Sequence, residues 1–315
     1  MRLQLNVHGM KRVKDFDINR ARDPQEILRQ MEEAGGFQGK KASEAVDILE
    51  RMIKDKESLN FLSFPAALMA TGMRGVLREM IKREWFDIVI TTCGTLDHDL
   101  ARSWGDYYQG SFQLDDIETK SKGYSRLGNI LVPDEVYADK VEERVQEFLT
   151  EIYQERRELA TYQLVWEFGN RMDNEDSLIY WAARNQIPII IPGITDGMIG
   201  YQLWMFSQDK DFKIDVLQDE QLLNDRVWEA RASGALIIGG GISKHHTIWW
   251  NQFRGGLDYA VYITTAVEWD GSLSGATPRE AVSWGKIHEE ADNIFIWGEA
   301  TIILPIVASV LSKKL

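Results

Sequence analysis

Short apolar runs alternate with amphipathic helical patterns along the second half of the chain, and this alternation predicts the fold. The predicted strands there are residues 187–191, 235–238, 259–263 and 293–297. The predicted helices are one after Gly197, then 220–232, 245–254, 278–290 with a break near Gly285, and 301–311. Strands that are apolar on both faces and separated by helices are typical of parallel sheets covered on both sides. The pattern therefore predicts an α/β fold with a doubly wound, mostly parallel sheet.

The first half begins with helical patterns and contains two more strand-like runs. Asp23 followed by Pro24 is a helix-start signal, and apolar residues recur at helical spacing after it. The predicted helices are 23–34, 43–53, 67–82, 133–155 and 160–171, and the predicted strands are 60–64 and 87–92. Residues 110–132 lack a clear period and are predicted to form a long loop with short pieces of structure.

The chain contains no internal repeat, low-complexity tract or Pro/Gly/Ser-rich linker. We therefore expect one domain over residues 1–315, with residues 1–22 as an N-terminal arm. The N-terminal residues lack a signal-peptide pattern and the apolar runs are too short to span a bilayer. The single cysteine, Cys93, excludes an intramolecular disulfide and fits a reducing compartment, so we expect a cytoplasmic protein.

The formal net charge of −13 narrows the classes of partner. Nucleic-acid-binding surfaces carry clustered Lys and Arg, so this balance argues against them. It favours a cationic ligand or a basic partner, although solubility alone is an equally good explanation.

Small, hydroxyl and acidic residues follow most predicted strands. In a doubly wound fold these loops meet in one crevice, where glycines admit pyrophosphate and a carboxylate such as Asp196 holds ribose hydroxyls. The loops are 91–99, 194–197, 239–241, 263–266 and 298–300. The G-x-G-x-x-G fingerprint is missing, and the triple glycine 239–241 is also compatible with a simple tight turn.

Lys286 lies two residues after Trp284 and six after Glu280. A lone lysine is usually solvated, but one desolvated against aromatic rings can act as a nucleophile that forms an imine. Glu280 and Lys286 cannot share one face of a regular helix, so both can line a site only if the helix breaks between them.

Two adjacent histidines, His245 and His246, follow the triple glycine. No further ligands have metal-site spacing, so we expect no metal. Either residue is a structural or capping histidine, or it is a general base or hydrogen-bonding group for a substrate.

Indole rings and carboxylates are concentrated in the same half of the chain. Cationic amines pair with carboxylates and pack their methylene groups on aromatic faces. The tryptophans are Trp249, Trp250, Trp269, Trp284 and Trp297, and the candidate carboxylates are Asp97, Asp99, Glu268, Asp270 and Glu280. Each of these residues could equally belong to the core or to the solvated surface.

Three segments together resemble the deoxyhypusine synthase family. They are Gly239-Gly-Gly-Ile-Ser-Lys-His-His246, the stretch 258–275 with Asp270-Gly-Ser-Leu273, and Glu280-Ala-Val-Ser-Trp-Gly-Lys286. The similarity extends from about Asp15 to the end of the chain. It implies a Rossmann-like NAD-binding fold and NAD-dependent transfer of the aminobutyl group of spermidine to a lysine of a translation factor precursor. It also implies a homotetramer with shared active sites.

The resemblance assigns roles to individual positions. It implies that Lys286 forms the covalent imine and that His245 is the base. It implies substrate contacts at Glu280, Trp284, Asp97, His98, Asp270 and Ser272. It implies NAD contacts at Thr92, Cys93, Gly94, Asp196, Gly240, Thr265, Ala266, Glu299 and Ala300.

Several positions depart from the eukaryotic pattern of the family, and some of these are shared with archaeal members. The departures are His98, Tyr201, Leu273, Trp249, Ala67 and Glu299. His98, Tyr201 and Leu273 each remove negative charge from the expected polyamine site, which leaves the amine donor open. Two alternatives follow: transfer to a free amine, as in a homospermidine synthase-like or agmatine-using relative, and a non-catalytic partner subunit.

Overall fold

The computed structural model describes residues 11–315, and its main feature is a six-stranded sheet in which every pairing is parallel. The strands are β1 (Ser58–Ser63), β2 (Ile88–Ile90), β3 (Tyr108–Gln109), β4 (Tyr124–Leu127), β5 (Ile130–Pro133), β6 (Glu158–Leu159), β7 (Ile189–Ile190), β8 (Lys213–Ile214), β9 (Ala232–Ile238), β10 (Leu257–Thr264) and β11 (Ile287–Trp297). The order in the main sheet is β7-β2-β1-β9-β10-β11. The expected α/β class with a doubly wound, mostly parallel sheet is confirmed.

This strand order creates a switch point between β1 and β9. The chain runs from β1 outward through β2 to β7, and then returns to the other side of β1 for β9, β10 and β11. Loops that leave β1 and β9 at their carboxyl ends therefore diverge to opposite faces of the sheet. In doubly wound folds, ligands bind in the crevice that this divergence opens.

Helices cover both faces of the sheet. They are α1 (Pro24–Ala34), α2 (Phe37–Lys54), α3 (Met73–Lys82), α4 (Gly94–Trp104), α5 (Asp116–Ser121), α6 (Val141–Glu155), α7 (Thr161–Asn170), α8 (Leu178–Arg184), α9 (Met198–Asp209), α10 (Val216–Glu229), α11 (Gly241–Asn251), α12 (Pro278–Ser283) and α13 (Ala300–Lys314). Short 3₁₀ turns at Ala66–Ala70, Gln252–Arg254 and Glu268–Asp270 and a π-helical turn at Glu135–Lys140 complete the regular structure.

Alternate strand residues build two separate cores, because successive side chains point to opposite faces of a strand. Leu62 and Leu236 belong to the core that also contains side chains of α2, α3 and α13. Their neighbours Phe61 and Ile237 belong to the core under α10, α11 and α12. This burial on both sides explains why the strands are apolar throughout.

The largest difference from the sequence-based elements is at 278–290. The predicted helix ends at Ser283, and residues 287–290 belong instead to the edge strand β11. Gly285 adopts φ +65°, which stops the helix, and Ile287 then pairs with Leu257 of β10. The exposed polar residues at the beginning of this edge strand resemble a solvated helix in sequence.

Several smaller differences have local causes. Helix α11 begins at Gly241 instead of residue 245, directly after the glycine turn. The stretch 110–132 holds α5 and most of a three-stranded antiparallel sheet, β3-β5-β4, whose strands are too short to show a period. Helix α8 was not predicted, since it has only seven residues.

The N-terminal arm was expected to cover residues 1–22, of which 1–10 lie outside the described residues. Residues 11–23 precede α1, and the backbone N–H of Asp17 donates to Gln30 Oε1 at 2.6 Å. None of the helices in residues 11–315 combines the length and apolar content that a membrane crossing requires.

Asp99 joins three helices through a buried ion pair. Its carboxylate accepts from Arg74 Nε of α3 at 2.6 Å, and the two side chains are 0% and 7% exposed. The same carboxylate accepts from the backbone N–H groups of Leu178 and Ile179 at 3.2 and 3.0 Å, which caps α8. Asp99 is therefore fully occupied in the core, and its oxygens are not available to an amine ligand.

We predict that Asp99→Ala lowers the free energy of unfolding by about 3–5 kcal/mol, because it leaves the Arg74 charge buried without a partner. Urea denaturation at neutral pH measures this change. Glu79→Ala is the matched control, since Glu79 pairs with Arg83 on the surface, and it should cost less than about 1 kcal/mol. Equal losses for the two variants would contradict the role assigned to Asp99.

Candidate active site

A left-handed turn at Gly285 ends α12 between Glu280 and Lys286. The N–H of Gly285 donates to the carbonyl of Val282 at 2.9 Å, and the N–H of Lys286 donates to the carbonyl of Ala281 at 2.9 Å. This pair of bonds is a Schellman motif, which ends a helix and redirects the chain. The condition for both residues to line one site, a helix break between them, is met.

A cavity of about 430 Å³ lies between α11, α12 and the segment that connects β10 to α12. Lys286, His245, Glu280 and Trp284 all line it. Its apolar wall includes Ile248, Trp249 and Leu273. The structure thus brings together the predicted nucleophile, the predicted base and two of the predicted substrate-contacting residues.

The surroundings of His245 in this cavity favour a neutral imidazole. Partial burial lowers the pKa of His245, and the nearby Lys286 charge lowers it further. Because the pKa of His245 lies below the ordinary value of 6.5, its imidazole is neutral at pH 7 and able to accept a proton. Lys286 Nζ lies 5.3 Å from the centroid of the Trp284 ring, which is 66% exposed at the cavity mouth.

The adjacent His246 has a different environment, since consecutive helical residues point about 100° apart. Its Nε2 lies 3.0 Å from Glu220 Oε1 of α10, at ion-pair distance but outside hydrogen-bond geometry. Burial lowers the pKa of His246. The second oxygen of Glu220 accepts from Trp250 Nε1 at 2.7 Å. His246 therefore packs between helices, and His245 alone of the pair lines the cavity.

Lys244 also lines the cavity and was not singled out from the sequence. It is 1% exposed, and burial lowers its pKa to about 8. Its position directly before the two histidines is the signal that could have drawn attention to it. Nothing in the sequence distinguishes a lysine turned inward from one turned to solvent.

The predicted cofactor residues follow strands at the carboxyl edge of the sheet. Thr92, Cys93 and Gly94 follow β2, Asp196 follows β7, Gly240 follows β9, Thr265 and Ala266 follow β10, and Glu299 and Ala300 follow β11. Asp196, Thr265 and Glu299 are exposed along this edge. Cys93 is fully buried, and burial raises the pKa of its thiol.

Three helices begin at this edge without a side-chain cap on their first turn. They are α4, α11 and α13, whose first residues are Gly94, Gly241 and Ala300. Uncapped N–H groups at a helix start bind anions, and α11 begins at the switch point beside β1. Gly239 and Gly241 have φ +71° and +65°, values that require glycine in this turn. These features fit a pyrophosphate group.

The comparisons with known proteins agree with one another. The family model of deoxyhypusine synthase matches residues 26–311. A relative from Picrophilus torridus, named probable deoxyhypusine synthase, is 50% identical over 298 residues, which are 94% of this chain and 96% of the relative. A relative of the same name from Sulfolobus acidocaldarius is 48% identical over 302 residues, covering 96% of this chain and 97% of the relative.

The chain belongs to the deoxyhypusine synthase family. At the level of the family this makes it a transferase. A crystal structure from Entamoeba histolytica that carries the deoxyhypusine synthase name has a TM-score of 0.67 at 22% identity, covering 94% of this chain and 95% of the other, and supports the fold.

Two residues expected from the deoxyhypusine synthase pattern, Asp97 and His98, lie on α4 and do not line the cavity that the described chain forms. Asp97 accepts from the N–H groups of Met198 and Ile199 at 2.9 Å each and from the Tyr137 hydroxyl at 3.0 Å. It therefore caps α9 from within the core, and burial raises the pKa of its carboxyl group.

His98 is mostly buried against aromatic residues. Its Nδ1 lies 3.0 Å from the Tyr107 hydroxyl, and its ring centroid lies 5.4 Å from that of Tyr137. Burial, together with the Arg102 charge, lowers the pKa of His98 to about 4. His98 is a neutral packing residue at pH 7, and substrate contact by either α4 residue stays a prediction.

The remaining expected substrate residues, Asp270 and Ser272, occupy an exposed turn next to the cavity wall. Asp270 Oδ1 accepts from the N–H of Ser272 at 2.7 Å, and hydrogen bonds from Ser272 lower the pKa of Asp270. The next residue, Leu273, lines the cavity. In residues 11–315, no group of three or more His, Cys, Asp or Glu side chains has metal-site geometry.

We predict that acid destabilises the protein in part through His98. The unfolded imidazole binds a proton as the pH falls through 6.5, whereas the folded one resists until about pH 4. Folding stability is therefore lost across this window, and going from pH 7 to pH 5 should cost about 2 kcal/mol at this residue. In His98→Gln, the free energy of unfolding measured by urea denaturation should not show that loss between the two pH values.

The exposed His288→Gln variant is the matched control and should retain the full acid sensitivity. An unchanged pH dependence in His98→Gln would show that another group controls it.

Proposed function

We propose that this chain transfers the 4-aminobutyl group of spermidine to a specific lysine of the hypusine-containing translation factor precursor. The observation that carries the proposal is the convergence of Lys286, His245, Glu280 and Trp284 on one cavity. Membership of the deoxyhypusine synthase family supports the aminobutyl transfer. The donor, the cofactor and the covalent step are the finer parts of the proposal.

The side chains of the cavity suit an amine with a methylene chain. Glu280 would pair with an ammonium group, and the Trp284 ring with Ile248 and Leu273 would pack along the methylenes. His245, neutral at pH 7, would accept the proton that an amine loses before it reacts.

Lys286 would act as the nucleophile. Its neutral amine adds to the substrate imine carbon, and the carbon–nitrogen bond to 1,3-diaminopropane breaks as that amine leaves with a proton. The result is an imine between Lys286 and the aminobutylidene group. The acceptor lysine displaces Lys286 by the same exchange, which leaves the total of bonds and protons unchanged.

NAD, when bound, would take a hydride from spermidine at the start and return it to the final imine. The residues that would hold it are those at the carboxyl edge: the uncapped turns at Gly94, Gly240 and Ala300 for pyrophosphate, and Asp196 for ribose hydroxyls.

We also infer a single domain, a cytoplasmic location and a homotetramer with shared active sites. The single domain rests on the absence of a linker-like tract in the sequence, the cytoplasmic location on the single cysteine, and the homotetramer on the resemblance to the family. The net charge of −13 fits a basic protein partner and argues against nucleic acid.

A second candidate is transfer to a free amine, as in a homospermidine synthase-like or agmatine-using enzyme. The observation that favours it is the apolar Leu273 in the cavity wall at a position where an acidic residue was expected. A non-catalytic partner subunit is the third reading, and the four catalytic and substrate residues gathered at the cavity argue against it.

We predict that mass spectrometry detects one aminobutyl group on the translation factor precursor after incubation with this protein, NAD and spermidine. Lys286→Ala should reduce transfer by at least about 1,000-fold, because the covalent step is lost while the fold is kept. Lys313→Ala, an exposed lysine on α13, is the matched control and should react normally. Undiminished transfer by Lys286→Ala would exclude this nucleophile, and a new free polyamine instead of a modified protein would favour the second candidate.

We predict that Asp196→Ala weakens NAD binding roughly 10- to 100-fold, the loss expected for hydrogen bonds from ribose to a carboxylate. Spermidine affinity should change less than twofold. Calorimetric titration measures both constants, with the exposed Asp173→Ala as the control. A larger loss of spermidine affinity than of NAD affinity would contradict the assignment of this loop.

A further inference from the structure

Lys244 is the one lysine that the structure buries within residues 11–315. Two backbone carbonyl oxygens accept from its Nζ: that of Leu273 at 2.8 Å and that of Ala276 at 2.7 Å. Burying an amine in a protein is unfavourable unless its hydrogen bonds are replaced. Here both replacements come from one segment of chain, and the proposed reaction assigns no role to this side chain.

The partner of Lys244 is the connection between β10 and α12, residues 265–277, which we call the bridging segment. Lys244 Nζ also lies 4.5 Å from the ring centroid of Tyr262, in the strand that leads into this segment. The lysine thus contacts the segment near its end and the strand before its beginning. Helix α11, β10 and the bridging segment are joined at this one side chain.

The bridging segment touches both halves of the proposed site. Leu273, Ala276 and Thr277 line the cavity that contains Glu280 and Lys286, which we call the amine cavity. Ser274 packs closely on Gly240 of the glycine turn 239–241, which we call the cofactor turn. A Cβ added at Gly240 would lie 2.2 Å from the Oγ of Ser274. A shift of this segment would therefore move the cavity wall relative to the cofactor turn.

We propose that Lys244 is a positioning residue that fixes the bridging segment and so holds the Leu273 wall of the amine cavity in register with the cofactor turn at Gly240. This inference rests on the proposed function for its catalytic meaning. The anchoring itself rests on the two hydrogen bonds and the burial of the side chain.

The anchoring does not require a fixed protonation state. Burial lowers the pKa of Lys244 to about 8, so part of the population is neutral in mildly alkaline solution. A neutral amine keeps two N–H donors, which is the number that the carbonyls of Leu273 and Ala276 use. Both donors bond to the bridging segment, so the role of Lys244 differs from that of the proposed nucleophile Lys286.

The test compares Lys244→Met, which keeps an unbranched chain as far as Cε but has no donor, with Lys244→Gln, whose amide keeps two N–H donors. Amide hydrogen exchange of residues 265–277 in the free protein is the first measurement. We expect exchange at least tenfold faster in Lys244→Met, a smaller increase in Lys244→Gln, and no change in β10. The control is Lys82→Met, since Lys82 also lies over a ring, that of Trp181 at 4.3 Å, but on α3.

The second measurement is steady-state transfer. Lys244→Met should raise the KM for spermidine at least tenfold, with NAD affinity changed by less than threefold, because Leu273 and Ala276, which lose the hydrogen bonds, line the cavity. Borohydride trapping followed by peptide mapping should still place the imine on Lys286.

Unchanged exchange of residues 265–277 in Lys244→Met would overturn the proposal whatever the activity. Should that variant not fold, the shorter Lys244→Ala, which also lacks donors, takes its place. Faster exchange confined to the segment would then support the proposal, and wild-type exchange throughout would overturn it. A trapped imine on Lys244 would also overturn it. Absence of transfer by the wild-type protein would refute the proposed function alone, since the exchange experiment needs no substrate.

Discussion

The site depends on one backbone conformation, the left-handed turn at Gly285. Had α12 continued for one more turn, Lys286 would lie on a different face of the helix from Glu280, and β11 could not begin at Ile287. A Cβ at Gly285 would contact nothing within 4 Å, so the requirement for glycine is conformational and not steric. Seven residues of sequence, 280–286, thus deliver a carboxylate, an indole ring and an amine to one cavity.

The fold separates the two tasks of the proposed reaction and then connects them. Uncapped helix starts at Gly94, Gly241 and Ala300 lie along the carboxyl edge of the sheet, where we propose that the dinucleotide binds. The amine cavity lies to one side, over the core that α11 and α12 cover. Helix α11 belongs to both, because its first turn is at the switch point and its second turn presents Lys244 and His245.

The sheet was predictable because burial on both faces leaves a direct mark on the sequence. Strands β9 and β10 are buried along almost their whole length, and their apolar runs show it. The edge strand β11 was shortened in the prediction, because residues 288–290 are exposed and polar. Its beginning is set by pairing with β10, a contact distant in sequence.

Site residues were predictable where a motif indicates their role. They were not predictable where burial decides whether a side chain faces the site or the core. The motif around Lys286 identified the cavity residues through the family resemblance. Asp97 and Asp99 looked like amine ligands, yet each turns inward and caps a helix across the core. Lys244 was missed although it directly precedes the two histidines, since a sequence does not reveal which lysine on a helix faces inward.

The distribution of charge in the cavity bears on how a polyamine could bind. Although the chain carries a net charge of −13, Glu280 is the one carboxylate that lines the cavity of the described chain, together with two lysines. One ammonium group of spermidine can therefore pair within a single chain, while the apolar wall with Leu273 favours methylenes. A second ammonium group needs a carboxylate from outside this cavity. The proposed sharing of sites between subunits would supply one. The loss of acidic residues at positions such as Leu273 therefore makes the binding of a polyamine depend on the proposed assembly.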